Sequence, residues 1–383
     1  MIEWDKIEQQ ALECVARQTK EHEEAAVYNT KKVLDAFAAH QVADYYMLPS
    51  NGYAYSDTGR DQLDLIYADI FKTEAALVRS QFVSGTHALA VALLGNLHPG
   101  DELIAATGEP YDTMQTIIGS PVKTPGSLTD LGVIYKEIPM AGDTPDIPAL
   151  LKALSPKTRM VHVQRSCGYS SKRKTLTVAK IGEIFKAVKA VRPDIICFVD
   201  NCYGEFIEKQ EPTEVGADLV AGSLIKNLGG EMGATLGDTA REMYQGLFLA
   251  PHVVLQAVKT SIFAASVFQS LGFSVSPSPE DVRSDIIQTI VLNNRENLCA
   301  FCEAIQAHSP VNAHVTPVPS HLPGYQDEII MAAGTFVQGA SIELSADAPL
   351  RDPFRVFMQG GLTFEHGRIA IMAAAKQIME QGK

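Results

Sequence analysis

Four polar sites in this sequence follow short apolar runs, and their side chains are of the types that catalysis uses. Lys226 follows the run "DLVAGSLI" and comes just before a pair of glycines, and Asp200 ends the run "ICFVD". "SGT" at 84–86 joins an apolar run to a helical pattern, and Arg165 ends "VHVQR". In open α/β sheets, ligands bind at the carboxyl ends of the strands. If these runs are parallel strands, the four sites lie along one edge of a sheet.

These residue types match the requirements of pyridoxal phosphate chemistry. A lysine must bind the cofactor aldehyde as a Schiff base and then carry protons, which is the role predicted for Lys226. A carboxylate must keep the pyridine nitrogen protonated, the role predicted for Asp200, and Tyr111 in "GEPYDT" could cover the ring. The phosphate requires N–H groups at a helix N-terminus with nearby hydroxyls. The candidates for phosphate binding are Ser84, Gly85, Thr86 and Ser223.

The elements that must position these residues alternate between strand and helix patterns. Periodicity without Gly or Pro predicts a long helix within 8–40, and the Gly- and Tyr-rich stretch 48–60 is a predicted loop. Helical patterns such as 176–191 separate the apolar runs. Strands are predicted at 75–83, 101–106, 132–139, 159–166, 194–201 and 218–225. This alternation predicts a mostly parallel sheet with helices on both faces.

The sequence pattern changes beyond about residue 250. A long helical stretch at 280–308, proline-rich connections and mixed strands follow. We therefore predict three segments. They are an N-terminal helix with an inter-subunit loop at 1–60, a large cofactor-binding α/β domain at 61–250, and a smaller α+β domain at 251–383.

Composition restricts the class of partner. The chain has 383 residues, a net charge of −13 and a pI of about 5.2, which argues against nucleic-acid or polybasic membrane contacts. The apolar stretch 246–273 is interrupted by Pro251, His252 and Lys259, so buried helices are predicted there. The six cysteines form no disulfide framework. We expect a cytoplasmic enzyme with a small amino-acid substrate and neither nucleic-acid nor membrane partners.

Other motifs give weaker predictions. Ser223-x-x-Lys226 also fits serine acylases, but the Ser-Asp-Asn and Lys-Thr-Gly partners of that class do not occur. Cys299-x-x-Cys302 lies in a predicted helix with no second pair, which favours buried packing over zinc or redox chemistry. No His-Glu-x-x-His occurs, and no metal site is predicted. Taken singly, the strand-end Asp200 and the 84–86 turn also fit plain capping.

Longer motifs carry a resemblance to a known family. "VSGTHA", "GDELIAATGEPYDT", "QRSCGY", "DNCYGEF", "SLIKN" and "QGGLTFEHGRIAI" are similar to the methionine gamma-lyase or aluminium-resistance branch of the cystathionine lyase-like pyridoxal phosphate enzymes. The resemblance implies fold type I, the aspartate-aminotransferase-like fold. It also implies that Lys226 carries the cofactor, that Asp200 holds the pyridine nitrogen and that Tyr111 covers the ring. Ser84, Gly85, Thr86 and Ser223 would surround the phosphate.

The resemblance further implies a homo-oligomer, a dimer with shared active sites or a tetramer. In the wider group a Tyr-x-Arg segment reaches the phosphate of the neighbouring subunit. The counterpart here is Tyr55 with Arg60 as the cation, although Asp57 stands where the arginine would be. A tyrosine-rich loop that only packs at a subunit interface is the alternative.

The resemblance also reveals a departure after Lys226. The family continues from the glycines through another strand, whereas "NLGG" here leads directly into "EMGATLGD". Loss of a core strand would expose a sheet edge. Two alternatives remain, namely that the protein lacks this segment or that the printed sequence omits it.

The predicted function is a carbon-sulfur lyase that catalyses β- or γ-elimination on a sulfur-containing amino acid such as cystathionine or methionine. The substrate carboxylate requires a bidentate arginine, for which Arg351 is the first candidate and Arg165 the second. Arg351 could also form only a surface ion pair. The alternatives are other pyridoxal phosphate chemistry, of the aminotransferase or aldolase type, and a cofactor-binding protein with a non-catalytic role in stress or metal resistance.

Overall fold

The computed structural model describes residues 2–48, 57–79, 81–168, 173–228, 239–322, 327–333 and 344–381. The chain divides into two compact units. The parallel-sheet unit comprises residues 32–224 and 235–244, and the antiparallel-sheet unit comprises residues 1–31, 225–234 and 245–383.

Ten α-helices and ten strands lie in the described residues. The helices are α1 Trp4–Gln18, α2 Lys20–Ala39, α3 Thr58–Ile70, α4 Gly85–Leu94, α5 Asp112–Ile118, α6 Ile147–Ala153, α7 Val178–Val191, α8 Thr239–Ser270, α9 Arg295–Ala307 and α10 Phe364–Gln381. The strands are β1 Glu102–Ala105, β2 Ile134–Glu137, β3 Thr158–Gln164, β4 Ile196–Asp200, β5 Leu219–Ala221, β6 Ser274–Ser276, β7 Ile287–Val291, β8 Ile329–Ala332, β9 Ser345–Pro349 and β10 Arg355–Gln359. Short 3-10 helices form at Asp44–Met47 and Pro212–Val215.

The parallel-sheet unit is built on a sheet of five strands in the order β2-β1-β3-β4-β5. All four neighbouring pairs are parallel, as predicted. Alternate residues of β3 and β4 face opposite layers of helices. Val161 and Val199 pack with Phe185 of α7, whereas Met160 and Phe198 pack with residues of α4 and α5. Because both faces are covered, the interior positions of β3 and β4 are mostly apolar, with His162 as the exception.

The N-terminal region forms two helices where one was predicted. The first helix ends before Thr19. The hydroxyl and the backbone N–H of Thr19 both donate to the Val15 carbonyl. Threonine bonded in this way competes with the backbone ladder of a helix. α2 then begins at the next residue, so the long periodic pattern is divided into two helices.

The strand predicted at 75–83 is wrong for the residues that are described there. Instead of pairing with a sheet, the Val78 N–H donates to Asp64 Oδ1 at 2.7 Å. Arg79 donates to the same carboxylate at 2.6 Å and to Asp61 Oδ1 at 2.8 Å. The carboxylates of α3 therefore hold this extended segment, and an apolar run alone could not reveal that.

The antiparallel-sheet unit contains a second sheet, in the order β6-β7-β10-β9-β8, with every neighbouring pair antiparallel. The helix predicted over 280–308 is only half right. The first part contains β7, and α9 begins at Arg295 after the N-cap Asn294. Isoleucines at 286, 287 and 290 fit a helical face as well as a strand, so their spacing did not decide between the two.

One helix, Ala240–Ser270, is long and apolar enough to cross a membrane by length and composition. Of its most apolar window, 61% is buried inside the protein, as in the core helix of a globular protein. This agrees with the burial predicted for 246–273.

Burial of His162 makes the stability of the parallel-sheet unit depend on pH. This β3 residue is 2% exposed and packs against Phe198 with ring centroids 5.2 Å apart. Burial lowers the pKa of His162 from 6.5 to about 4. Between these values the unfolded chain binds a proton that the folded chain does not, so stability present above pH 6.5 is lost as pH falls.

We therefore expect His162→Leu to lose less stability than the wild type between pH 7 and pH 5, by about 2 kcal/mol. Urea unfolding at the two pH values measures this difference. Phe198→Leu, which disturbs the same contact without removing a titratable group, should keep the wild-type pH dependence. Equal losses in the wild type and His162→Leu would contradict the assignment.

Candidate active site

Asp200 is held at the carboxyl end of β4, between β3 and β5. Its carboxylate is 3% exposed, and Oδ1 accepts from the Cys202 N–H at 3.1 Å. The Asp200 carbonyl accepts from the Arg165 N–H at 3.0 Å. Register pairs Asp200 with Gln164 on one side and with Ala221 on the other. A buried carboxylate at this edge is suited to holding a cation or an N–H group of a ligand.

The N-terminus of α4 lies directly against the residues that follow β5. Ser84 caps the helix by accepting from the His87 N–H at 3.0 Å. A Cβ atom at Gly85 would lie 2.8 Å from the Ser223 Cβ atom, so only glycine fits at this position. Ser223 is itself buried. Free N–H groups at the start of α4 and the hydroxyls of Ser84, Thr86 and Ser223 thus lie within one small region, which suits an anion.

Tyr111 lies next to this region. It is the N-cap residue of α5, and its hydroxyl lies 3.2 Å from Thr86 Oγ1. Burial, and then the negative charge of Asp200, raise the pKa of Tyr111 far above its usual value. The phenol therefore remains protonated at physiological pH and can donate a hydrogen bond. The structure brings Ser84, Gly85, Thr86, Tyr111, Asp200 and Ser223 together at one edge of the parallel sheet, where the sequence predicted them.

The structure corrects the prediction that Arg165 binds the substrate carboxylate. Its side chain has no exposed surface. Nη1 donates to Asn201 Oδ1 at 2.9 Å and to the Gly204 carbonyl at 2.8 Å, and Nη2 donates to Glu208 Oε1 at 2.8 Å. Because the guanidinium is committed to these partners, Arg165 is a structural residue that fixes the loop after Asp200.

The other predicted residues have the following surroundings. Lys226 is half-buried, five residues after the end of β5, and belongs with Arg351 to the antiparallel-sheet unit. The Arg351 side chain is 60% exposed and forms an ion pair with Asp327 at 3.0 Å. Arg60 is buried and pairs with Asp57. Tyr55 and the stretch 229–238 after Lys226 lie outside the described residues.

Two further polar residues lie beside Asp200 at this edge, and Gln164 is the one that the sequence analysis missed. Gln164 ends β3, and its side chain accepts from the Tyr111 N–H at 3.2 Å. Asn201 is buried beside Asp200, where it binds Arg165 and Glu211. Their signal in the sequence is their place directly at a strand end, next to Arg165 and Asp200. That place resembles ordinary turn chemistry unless the partners are known.

No metal centre is found in the part of the chain that the structure describes, since no group of three or more His, Cys, Asp or Glu side chains there could hold an ion.

Solved structures share this architecture. The crystal structure of yeast cystathionine gamma-lyase is similar at a TM-score of 0.59, over 91% of this chain and 98% of that one. At 15% identity the likeness shows the fold alone. The predicted fold class, fold type I with a large parallel-sheet part and a smaller α+β part, is confirmed.

A much nearer structure is that of a candidate cystathionine beta-lyase involved in aluminum resistance from Listeria monocytogenes. It is 44% identical, with a TM-score of 0.92 over 98% of this chain and 100% of that one. The uncharacterized Bacillus subtilis protein YnbB is 46% identical over 394 aligned positions, which cover 94% of this chain and 93% of YnbB. That alignment is longer than this 383-residue chain, so YnbB contains residues with no counterpart here.

The sequence model of the family described as methionine gamma-lyase matches residues 4–240 and 228–379. The two matches overlap at residues 228–240. This is the stretch after Lys226 where the sequence departs from the family. Together they span almost the whole chain, and the resemblance predicted from the short motifs is confirmed. The chain belongs to the methionine gamma-lyase family.

Proposed function

We propose that the protein is a pyridoxal-phosphate-dependent carbon-sulfur lyase that catalyses β- or γ-elimination on a sulfur-containing amino acid. Membership of the methionine gamma-lyase family supports the reaction class. The observation that carries the proposal is the placement of the α4 N-terminus, Tyr111 and Asp200 along one edge of the parallel sheet. At this edge the α4 N-terminus can bind a phosphate, Tyr111 can stack on an aromatic ring, and Asp200 can accept a hydrogen bond from a ring nitrogen.

The residues present fit this cofactor. Because Gly85 has no side chain, Ser223 can lie against the first turn of α4, and its hydroxyl is thereby placed beside the backbone N–H groups that a phosphate would bind. The buried Asp200 carboxylate is an acceptor for a protonated pyridine nitrogen. The phenol of Tyr111 is neutral and aromatic, as a ring cover requires. We assign phosphate binding to Ser84, Gly85, Thr86 and Ser223.

When bound, pyridoxal phosphate withdraws electrons from the substrate Cα atom, which allows loss of its proton and then of a sulfur leaving group. Lys226 removes and carries the proton at Cα. Asp200 keeps a positive charge on the ring nitrogen through a charge-assisted hydrogen bond. Tyr111, kept neutral by burial, donates a hydrogen bond to the departing sulfur, which takes its proton from the Lys226 ammonium. Arg351 binds the substrate carboxylate, exchanging its exposed partner Asp327 for that anion.

None of the six cysteines is in a disulfide, which supports a location in a reducing compartment, and we propose the cytoplasm. Cell fractionation that recovers the protein outside the cytoplasmic fraction would contradict this location.

We also propose that the protein is a homo-oligomer, a dimer or tetramer in which Tyr55 and Arg60 serve the site of a neighbouring subunit. Large apolar side chains are exposed along 45–94 of the parallel-sheet unit, and a second copy of the chain would cover them. The exposed members of this group are Tyr45, Leu48, Leu65, Leu77, Val83, Val91 and Leu94.

Sedimentation velocity should therefore give a species of two or four times the chain mass of 41.5 kDa. Leu65→Glu, at an exposed site on α3, should shift the distribution towards smaller species because it places a charge in the interface. Val191→Glu, also at an exposed site but at the end of α7, should not. A wild-type protein that sediments only as a single chain would refute the oligomer.

The cofactor assignment predicts a covalent link through Lys226. The purified protein with pyridoxal phosphate should absorb visible light, and borohydride reduction should fix the cofactor on the peptide that contains Lys226, as found by mass spectrometry. Lys226→Ala should lose both properties because its side chain has no amine. Lys209→Ala is the control, since this lysine follows β4 outside the proposed site. A Lys226→Ala protein that still absorbs visible light would show that the assignment is wrong.

The reaction itself is tested by incubating the loaded protein with a panel of sulfur amino acids that includes cystathionine, cysteine and methionine. We expect release of a free thiol together with ammonia and pyruvate after β-elimination, or 2-oxobutyrate after γ-elimination. Lys226→Ala should release none of these. Transfer of the amino group to an added 2-oxo acid would identify an aminotransferase instead. Binding without any turnover across the panel would favour a non-catalytic role.

A further inference from the structure

Gln164 is immobilised by contacts on every polar group that it carries. The residue is 6% exposed at the end of β3. Its side-chain Oε1 accepts from the Tyr111 N–H at 3.2 Å, and its Nε2 donates to the Ser166 carbonyl at 2.9 Å. Its backbone N–H donates to Thr107 Oγ1 at 3.2 Å, and its carbonyl accepts from Arg173 Nη2 at 2.8 Å. One buried amide therefore joins the end of β3 to the start of α5.

The two side-chain contacts require a glutamine. One end of the amide must accept a hydrogen bond from Tyr111 while the other donates to Ser166. An ionised glutamate can accept but cannot donate, and methionine offers neither a strong donor nor a strong acceptor. Asparagine is shorter by one methylene group.

This amide connects two residues of the proposed site. Register places Gln164 beside Asp200 in neighbouring strands, so the distance between these two backbones is fixed by the sheet. The bond to the Tyr111 N–H extends that fixed frame to the residue that precedes α5. Tyr111 is thus held at both ends, at its backbone by Gln164 and at its hydroxyl by Thr86. α5 has only seven residues, so it supplies little rigidity of its own.

We propose that Gln164 is a positioning residue that sets the phenol of Tyr111 relative to the carboxylate of Asp200. The proposal rests on the proposed function, in which both side chains act on the bound cofactor. In this role Gln164 acts through Tyr111. Its loss would remove the acceptor of the Tyr111 N–H and leave the residue held by its hydroxyl contact with Thr86 and by its carbonyl, which accepts from the Gln115 N–H at 3.0 Å.

The contact is tested first on the protein without cofactor, by hydrogen exchange of peptides that contain Tyr111. In Gln164→Met the Tyr111 amide should exchange about 5-fold faster, because its acceptor is gone. Gln164→Glu keeps an oxygen acceptor for the Tyr111 N–H but loses the bond to the Ser166 carbonyl, so its exchange rate should lie between those of the wild type and Gln164→Met. This readout does not depend on the proposed function, and identical exchange in the wild type and Gln164→Met would overturn the proposal.

Gln306 offers a matched control in the antiparallel-sheet unit. It is 7% exposed, accepts from the Ala333 N–H at 2.8 Å and donates to the carbonyls of Asn312 and Val311. Gln306→Met therefore removes a comparable set of buried contacts. It should speed exchange near Ala333 and leave the Tyr111 peptides unchanged.

The effect on Tyr111 is tested on the loaded protein. Gln164→Met should lower kcat about 10- to 100-fold, as small misplacements of catalytic groups do, with KM changed less than about 2-fold. The visible circular dichroism of the cofactor should change as well, whereas Gln306→Met should alter neither. In a Tyr111→Ala background, Gln164→Met should have no further effect on kcat.

The outcomes separate the two proposals. A wild type that binds no cofactor would refute the proposed function, while hydrogen exchange would still decide whether Gln164 holds Tyr111. A functional lyase in which Gln164→Met leaves kcat and the dichroism unchanged would overturn the positioning role alone. Additive losses in the Gln164→Met, Tyr111→Ala double variant would overturn it too, because they would show that Gln164 does not act through Tyr111.

Discussion

The buried guanidinium of Arg165 imposes the constraint on which the candidate site depends. A charge without solvent contact is stable only if its hydrogen-bond partners are in place, and removal of one partner of such a pair costs about 3–5 kcal/mol. Arg165 meets this condition by binding Asn201, the Gly204 carbonyl and Glu208. Gly204 lies so close to the guanidinium that any Cβ atom there would collide with it. Only glycine therefore fits at position 204, and the loop after Asp200 is anchored to Arg165.

The same network reaches across the parallel-sheet unit. Asn201 donates to Glu211, and Glu211 pairs with Lys32 of α2 at 3.8 Å. The Lys32 ammonium also lies 5.3 Å from the ring centre of Phe206. Burial raises the pKa of Glu211 and lowers that of Lys32, so each charge is costly without the other. Residues distant in sequence thus share one buried cluster, and α2 is held by charge as well as by apolar contact.

This arrangement explains which parts of the molecule the sequence could predict. The five parallel strands were predictable because burial on both faces leaves an apolar run whatever the detailed partners are. The segment 75–83 was not, because an apolar run held by the carboxylates of α3 has the same composition as a strand. Arg165 was read as a ligand because a cation at a strand end is suited to one. Its burial depends on Glu208 and Asn201, which only the folded chain brings to it.

Some of the site residues could be predicted from the sequence, whereas others depend on partners that only the folded chain brings together. Ser84, Gly85, Tyr111 and Asp200 could be chosen from the sequence because the roles proposed for them suit only a few residue types, and their order along the chain is specific. Gln164 was not predictable, because its task is to satisfy one N–H group and one carbonyl, and many residues at strand ends do that. Its importance becomes visible only when the N–H group proves to be that of Tyr111.

The electrostatics of Tyr111 and Asp200 divide the proton transfers of the proposed reaction. Burial and the nearby Asp200 charge both oppose ionisation of the phenol, so Tyr111 stays neutral and can donate a hydrogen bond, but it does not readily give up its proton. Asp200 is committed to the Cys202 N–H and, in the proposed complex, to the ring nitrogen. Neither group is therefore available to take the proton from the substrate Cα atom. Within the proposed set only the amine of Lys226 remains for that step. The ammonium formed in this way can then give a proton to the departing sulfur, to which Tyr111 donates a hydrogen bond.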